Sequence, residues 1–127
     1  MFVLDTNALL SAIFRPAKLG KKTNHIIRTS KNISYSSLSA AELTMKNMLG
    51  KLTLKAPIHA ILHGIQFQEL PFDNRVSAEL YSLPGLVRHE PFDRMILATA
   101  RAHGAKLITS DRRMLELGFD WILDSTI

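Results

Sequence analysis

The sequence contains no cysteine. Disulfide bonds and thiolate metal sites are therefore excluded, and a reducing compartment such as the cytosol is compatible with the chain. No apolar run approaches the roughly 18 residues that span a membrane, and Asp5 introduces a charge too early for a signal peptide. From these absences we expect a soluble, cytoplasmic protein without membrane association.

The sequence also lacks internal repeats, low-complexity segments and any linker that would divide it. Its 127 residues, of which 46% are hydrophobic, allow one compact domain to bury about two thirds of its unfolded surface. We therefore expect a single domain over residues 1–127 that folds on its own.

Acidic residues are few relative to basic ones. The 16 Lys and Arg residues stand against 11 Asp and Glu residues, which gives a net charge of +5 and a pI near 9.8. A basic surface suits a polyanionic partner such as nucleic acid, but many basic domains bind no polyanion. No aromatic array suited to base stacking can be recognised. Charge alone therefore leaves nucleic-acid binding open.

Short apolar runs alternate with helical patterns along the chain. The predicted strands span residues 2–4, 33–37, 66–72, 105–109 and 121–123. The predicted helices span residues 8–14, 21–29, 39–50, 57–65, 74–83, 91–103 and 112–117. Strands that alternate with helices imply a mainly parallel sheet covered on both faces. We therefore expect an α/β fold, a three-layer α/β/α sandwich.

Four acidic residues fall where such a sheet would bring them to one edge. Asp5 ends the first strand and Asp111 ends a later one, and ligands bind beyond the carboxyl ends of parallel strands. Glu42 and Asp93 are expected in the first turns of helices, and Ser39 and Glu42 have the spacing of a capping box. Each acid alone is compatible with a structural role, because helix N-termini stabilise negative charge by about 0.3–1 kcal/mol.

Together the four carboxylates resist a purely structural interpretation. Repulsion at one edge would raise some of their pKa values or require a cation, and a hard divalent ion such as Mg²⁺ or Mn²⁺ is the usual solution. Without these four acids, 7 acidic residues remain against 16 basic ones. This pattern suits phosphodiester hydrolysis, in which divalent ions activate water and stabilise the leaving oxygen while Lys and Arg hold the phosphates.

Four motifs follow one another along the chain: Leu4-Asp5-Thr6-Asn7; Ser36, Ser39 and Glu42; Pro91-Phe92-Asp93-Arg94 with Ala98-Thr99-Ala100; and Leu107-Ile108-Thr109-Ser110-Asp111. Together they resemble the PIN domain, and most closely the VapC-type toxin ribonucleases of toxin–antitoxin pairs. The resemblance implies a magnesium-dependent endoribonuclease that acts on RNA. It also implies a homodimer, inhibited in a higher assembly by a cognate antitoxin whose C-terminal segment occupies the active-site groove.

The resemblance implies roles for the four acids. Asp5 and Asp93 would be the principal metal ligands, and Asp111 would complete the site directly or through water. Glu42 would bind metal or orient the attacking water. The sequence departs from the family at Glu90, where Asp is usual. Because the longer Glu side chain should miss the helix amides, this departure leaves the start of the Asp93 helix open.

Other residues near the motifs are candidates for supporting roles. Thr6, Asn7 and Thr109 would support the metal ligands, although helix capping and strand termination explain them equally well. His89 is interpreted as a loop residue rather than a general base. Arg15 and Lys18 could contact RNA phosphates or simply lie in solvent. Arg94 and Arg112 lie beside acids of the expected site, where they could contact the substrate or simply offset the carboxylate charge.

Two other functions remain open. A phosphatase of the haloacid-dehalogenase type also uses a strand-terminal Asp as its nucleophile, but it requires a second Asp two positions on, where this chain has Asn7. A catalytically inert PIN-like module would bind RNA or a protein partner without cleaving it. The presence of all four acids argues against that interpretation.

Overall fold

The computed structural model of the chain describes residues 1–86 and 90–127. The described strands are β1 (Phe2–Leu4), β2 (Ile33–Ser36), β3 (Gln68–Leu70), β4 (Lys106–Thr109) and β5 (Ile122–Asp124). They form a five-stranded sheet in the order β3-β2-β1-β4-β5, and every neighbouring pair is parallel. The interpretation of His89 concerns a position outside the described residues.

Helices cover both faces of this sheet. They are α1 (Thr6–Phe14), α2 (Lys21–Thr29), α3 (Ser37–Met48), α4 (Ile58–His63), α5 (Asn74–Ala78), α6 (Pro91–Ala102) and α7 (Arg112–Leu115). Side chains of α1 to α4 pack into one apolar cluster on one face, and those of α5 to α7 pack into another on the opposite face. The expected three-layer α/β/α fold with a parallel sheet is confirmed.

None of the helices that the structure describes combines enough length with enough apolar character to cross a membrane.

Acids follow the strands β1 and β4, and successive side chains of these strands pack alternately into the two apolar clusters. In β1, Val3 packs in the cluster under α6 and Leu4 in the cluster under α1, and Leu107 and Ile108 do the same in β4. All four side chains are fully buried. Because successive side chains of a strand point to opposite faces, a strand covered on both sides is apolar at every position. This is why short unbroken apolar runs predict these strands.

The strand order reverses at β1. From β1 the chain adds β2 and then β3 on one side, and it later returns to place β4 on the other side of β1. The connections that leave the carboxyl ends of β1 and β4 therefore diverge, and ligands bind in the crevice at such a point. Asp5 and Asp111 follow these two strands.

Some predicted boundaries are wrong. The third strand is limited to Gln68–Leu70, and the predicted helix over residues 74–83 is α5 followed by a 3-10 segment at Glu79–Ser82. The helix start predicted at Ser39 is also wrong, because α3 begins at Ser37. Ser36 caps it, since its hydroxyl oxygen accepts the backbone N–H of Leu38 at 3.1 Å.

The start of α2 depends on a glycine. Gly20 precedes this helix, and its backbone N–H donates to the carbonyl of Ser125 at 2.9 Å. A Cβ at this position would lie 2.1 Å from the backbone oxygen of Ile127, so residues 125–127 would have to move. That oxygen also accepts the backbone N–H of Thr23 at 3.0 Å.

We predict that Gly20→Ala lowers the free energy of unfolding by about 1–3 kcal/mol, the usual cost of forcing an extra methyl into a packed site. Gly85→Ala is the matched control, because an added Cβ at Gly85 has nothing within 4 Å; its effect should stay within about 0.5 kcal/mol. Chemical denaturation of both variants provides the measurement. Equal midpoints for the two variants would contradict the prediction.

Candidate active site

Asp5 is fixed at the junction of β1 and α1. Its Oδ1 accepts the backbone N–H of Ala8 at 2.7 Å, and its Oδ2 accepts the hydroxyl of Thr109. The residue is only 5% exposed. Burial raises the pKa of Asp5 to about 6, although the two hydrogen bonds act in the opposite direction. The carboxylates of Asp111 and Glu42 lie close enough to add to this rise.

The hydroxyl of Thr109 connects Asp5 to the segment that carries Asp111. It donates to the Asp5 carboxylate and accepts the backbone N–H of Asp111 at 2.9 Å. Asp111 in turn caps α7, since its Oδ1 accepts the backbone N–H of Arg113 at 2.8 Å. Thr109 itself is fully buried. One buried hydroxyl therefore fixes the relative positions of two of the four acids.

Asp93 lies in the first turn of α6, where the sequence predicts it. Its side chain is half-buried, and burial raises the pKa of Asp93 to about 6. Neighbouring carboxylates add to the rise, in decreasing order those of Asp111, Glu90, Asp5 and Glu42. The two acids with raised pKa values, Asp5 and Asp93, thus share a set of negatively charged neighbours.

The expectation that Glu90 caps its helix poorly is wrong. The helix α6 begins at Pro91, and Oε2 of Glu90 accepts the backbone N–H of Asp93 at 3.2 Å. Proline at the first position fixes the backbone of the first turn, and the exposed Glu90 side chain reaches the amide across it. The departure from the family at this position therefore leaves the start of the Asp93 helix intact.

Together with Asp5, Asp93 and Asp111, Glu42 forms what we call the acidic edge, and it contributes from within α3 rather than from the start of that helix. Because α3 begins at Ser37, Glu42 lies in the second turn, and the predicted first-turn position and capping box are wrong. Its Oε2 lies 3.6 Å from the Nζ of Lys46, one turn further along the helix. The Glu42 charge nevertheless acts on both Asp5 and Asp93.

The predicted supporting residues Thr6 and Asn7 have different surroundings. Thr6 is buried, and its hydroxyl donates to the hydroxyl oxygen of Ser39 at 3.0 Å. This bond ties the start of α1 to the helix that carries Glu42. Asn7 is exposed and lines a groove that also includes Ser110, the residue before Asp111.

That groove, which we call the α1 groove, has a volume of about 620 Å³ and runs along α1 away from the acids. Asn7 and Ser110 line one end of it, two residues after Asp5 and one residue before Asp111 in sequence. The other exposed residues that line it are Phe14, Arg15, Lys18, Lys51, Thr53 and Thr126. Arg15 and Lys18 are candidates that the sequence predicts. Phe14 and Lys51 are not predicted, because no local sequence pattern connects them.

The other two basic candidates lie outside the α1 groove. Arg94 is half-buried, and its Nε has no hydrogen-bond partner among residues 1–86 and 90–127. Arg112 is exposed, with its NH1 nitrogen 3.8 Å from Oδ2 of Asp124. The four predicted phosphate contacts therefore divide into a pair within the groove and a pair outside it.

The chemistry of the acidic edge fits a divalent cation. In the parts of the chain that the structure describes, no three His, Asp or Glu side chains are grouped so that they could hold a metal ion as they stand. The four acids still lie near one another, and carboxylate oxygens are the ligands that Mg²⁺ and Mn²⁺ prefer. A cation would relieve the desolvation and crowding that raise the pKa values of Asp5 and Asp93 to about 6.

Comparison with known proteins gives consistent matches. The family described as the PIN domain matches residues 2–120. Ribonuclease VapC22 of Mycobacterium tuberculosis is 25% identical over 114 residues, which cover 88% of this chain and 88% of that protein.

Two solved structures share the fold. The DNA-bound VapBC structure from Salmonella typhimurium has a TM-score of 0.68 and 23% identity, with 97% of this chain and 95% of that chain covered. The structure of FitAB bound to a DNA fragment has a TM-score of 0.74 and 20% identity, with 100% of this chain and 96% of that chain covered.

Proposed function

Because the chain belongs to the PIN domain family, we propose that it is an endoribonuclease that hydrolyses phosphodiester bonds in RNA with the help of Mg²⁺ or Mn²⁺. The observation that carries the proposal is the pair Asp5 and Asp93, two carboxylates whose pKa values are both raised to about 6 by burial and by the neighbouring acids. The similarity to ribonuclease VapC22 over 88% of both chains supports RNA as the substrate.

The energetics of the acidic edge favour a functional role. Placing carboxylates away from water costs free energy, and placing them beside one another adds repulsion. Carboxylates with strongly raised pKa values in a cleft are typical of functional sites. The crevice at the reversal of strand order is also the usual ligand site of such a sheet.

In the proposed site, Asp5 and Asp93 hold the cation, and Asp111 completes the site directly or through water. Bound Mg²⁺ would supply a Lewis acid that activates water and stabilises charge on the leaving oxygen. Thr109 is a positioning residue, because its hydroxyl bonds both the Asp5 carboxylate and the Asp111 backbone. Glu42 binds the cation or orients the attacking water.

We also propose that the chain is the toxin of a toxin–antitoxin pair. One of the solved structures with the same fold is the VapBC structure from Salmonella typhimurium. The partners would be a cognate antitoxin and a second copy of the chain, in a higher assembly. Two largely exposed apolar side chains offer surface for such contacts: Met48 and Leu49. A neighbouring gene that encodes a small antitoxin would be the simplest support.

We predict that the metal-free protein binds Mg²⁺ or Mn²⁺ in calorimetry at pH 7.5, and that the affinity falls at least about tenfold by pH 5.5. The sign follows from Asp5 and Asp93: their pKa values are about 6, so both take up protons as the pH falls through 6, and a protonated carboxylate is a poor ligand. The control is Asp120→Asn, which removes a carboxylate from an exposed position and should bind the divalent ion like wild type. Absence of divalent-ion binding at pH 7.5 would favour the inert module instead.

A further inference from the structure

The α1 groove begins at residues that lie close in sequence to the proposed site. Asn7 and Ser110 line this end, two residues after Asp5 and one residue before Asp111. From there the groove follows α1 to Phe14 and the 3-10 segment Pro16–Lys18, opposite residues 51–54. Its volume of about 620 Å³ falls within the range of about 300–1,000 Å³ that is typical of ligand sites.

The charge of the α1 groove suits a polyanion. Arg15, Lys18 and Lys51 are exposed along it, and the described residues that line it include no Asp or Glu. Its walls come largely from a part of the chain with few acids, since no Asp or Glu lies between Asp5 and Glu42. Within the described residues, none of the three cations forms an ion pair. Their charges are therefore available to phosphates.

Phe14 adds an aromatic surface to this basic groove. It is the last residue of α1, it is 43% exposed, and it directly precedes Arg15. Leu10, Leu52 and Leu54 give the groove an apolar floor beside it. An exposed aromatic ring among cations is the combination that holds unpaired bases by stacking and the backbone by charge. Bases inside a duplex are already stacked, so a duplex would gain only the charge contacts.

We propose that the α1 groove binds an unpaired RNA strand, with Phe14 stacked on a base and with Arg15, Lys18 and Lys51 on successive phosphates. The inference rests on the proposed ribonuclease function and names the residues of this chain that would bind the substrate strand. Phe14 would provide the preference for single strands, and the three cations would bind the RNA backbone. The cleaved bond would then lie at a fixed distance from the stacked base.

The test of stacking uses fluorescence anisotropy in EDTA, so that RNA binds without being cut. The probe is a fluorescein-labelled RNA of about 12 nucleotides, used single-stranded and annealed to its complement. We expect Phe14→Leu to weaken single-strand binding about tenfold and to leave duplex binding unchanged. Phe14→Tyr should bind like wild type. Tyr81→Leu, which removes a 90% exposed aromatic ring outside the groove, is the matched control.

The test of the phosphate contacts uses the same probes at several salt concentrations. Lys18→Gln and Lys51→Gln should each weaken binding of both probes. Each should also reduce the salt slope, which is the slope of log affinity against log salt concentration, by about one. Lys106→Gln is the control, because Lys106 is exposed at the amino end of β4, at the opposite edge of the sheet. A salt slope unchanged in the two groove variants would overturn the assignment of the cations.

Three results would overturn the proposal: wild-type protein that binds neither probe, Phe14→Leu protein that binds the single strand normally, or an equal loss for strand and duplex. If the Phe14→Leu change instead prevents capture of a co-expressed antitoxin and leaves RNA binding intact, the groove serves a protein partner and the proposal is wrong. Cleavage of total RNA with Mg²⁺ distinguishes failure of this inference from failure of the proposed ribonuclease function. If wild type cleaves RNA and Phe14→Leu protein binds the single strand normally, only this inference is wrong. If the groove binds RNA as expected but wild type does not cleave it, only the ribonuclease function is wrong.

Discussion

The Asp5→Asn protein is expected to be more stable than wild type at pH 7.5 in metal-free buffer, by about 1–3 kcal/mol. Asp5 is 5% exposed, and burial raises its pKa from 3.8 to about 6. Each unit of such a rise corresponds to about 1.4 kcal/mol of differential interaction. Asparagine carries no charge, and its side-chain oxygen can still accept the N–H of Ala8. Its amide nitrogen replaces the oxygen that accepts the Thr109 hydroxyl, and it can donate to that hydroxyl instead. The variant therefore removes the electrostatic cost and keeps the helix cap.

The pH dependence of stability gives this prediction its sign. In the unfolded chain Asp5 ionises near 3.8, and in the folded protein near 6, so between these values the folded state holds more protons. Stability contributed by this group is therefore complete below about pH 4 and is lost as the pH rises through 6. Asp5→Asn should flatten this decline.

Thermal unfolding of wild type and Asp5→Asn protein in EDTA, from pH 4 to pH 7.5, is the measurement. Asp120→Asn is the control, because it removes a carboxylate from an exposed position and should change the free energy of unfolding by less than about 0.5 kcal/mol. A lower melting temperature for Asp5→Asn than for wild type at pH 7.5 would show that Asp5 stabilises the fold, contrary to this account.

The parts of the site that follow directly from strand ends are predictable from the sequence. Asp5 and Asp111 each come just after a short apolar run, and a parallel sheet places the carboxyl ends of its strands at one edge. Asp93 follows a proline that starts a helix, which also fixes its position locally. The fold class follows from the same alternation of strands and helices, because each pattern depends only on nearby residues.

The parts that depend on distant contacts are not predictable in this way. Glu42 is displaced from the predicted helix start because Ser36 caps α3, while the hydroxyl of Ser39 accepts that of Thr6 from the distant helix α1. The α1 groove joins Phe14 to Lys51, which lie on separate elements. Its existence depends on how α1 and the loop after α3 pack, and no spacing in the sequence records that packing.

Asp93→Asn is expected to reduce metal-dependent RNA cleavage by at least about 100-fold while the protein stays folded. A bound metal contributes several kcal/mol to stabilising the transition state, and each 1.4 kcal/mol corresponds to about a factor of ten in rate. The fold should tolerate the change, because the start of α6 is capped by the Glu90 side chain rather than by that of Asp93. Loss of a half-buried carboxylate with a raised pKa should also not lower stability at neutral pH.

Cleavage of total cellular RNA in Mg²⁺ and in EDTA, by wild type, Asp93→Asn and Asp120→Asn proteins purified in parallel, is the most direct test. The acidic-edge account predicts that wild type and Asp120→Asn cleave RNA equally in Mg²⁺, that neither does so in EDTA, and that Asp93→Asn is inactive although its circular dichroism matches wild type. Folded Asp93→Asn protein that cleaves RNA at the wild-type rate would contradict it.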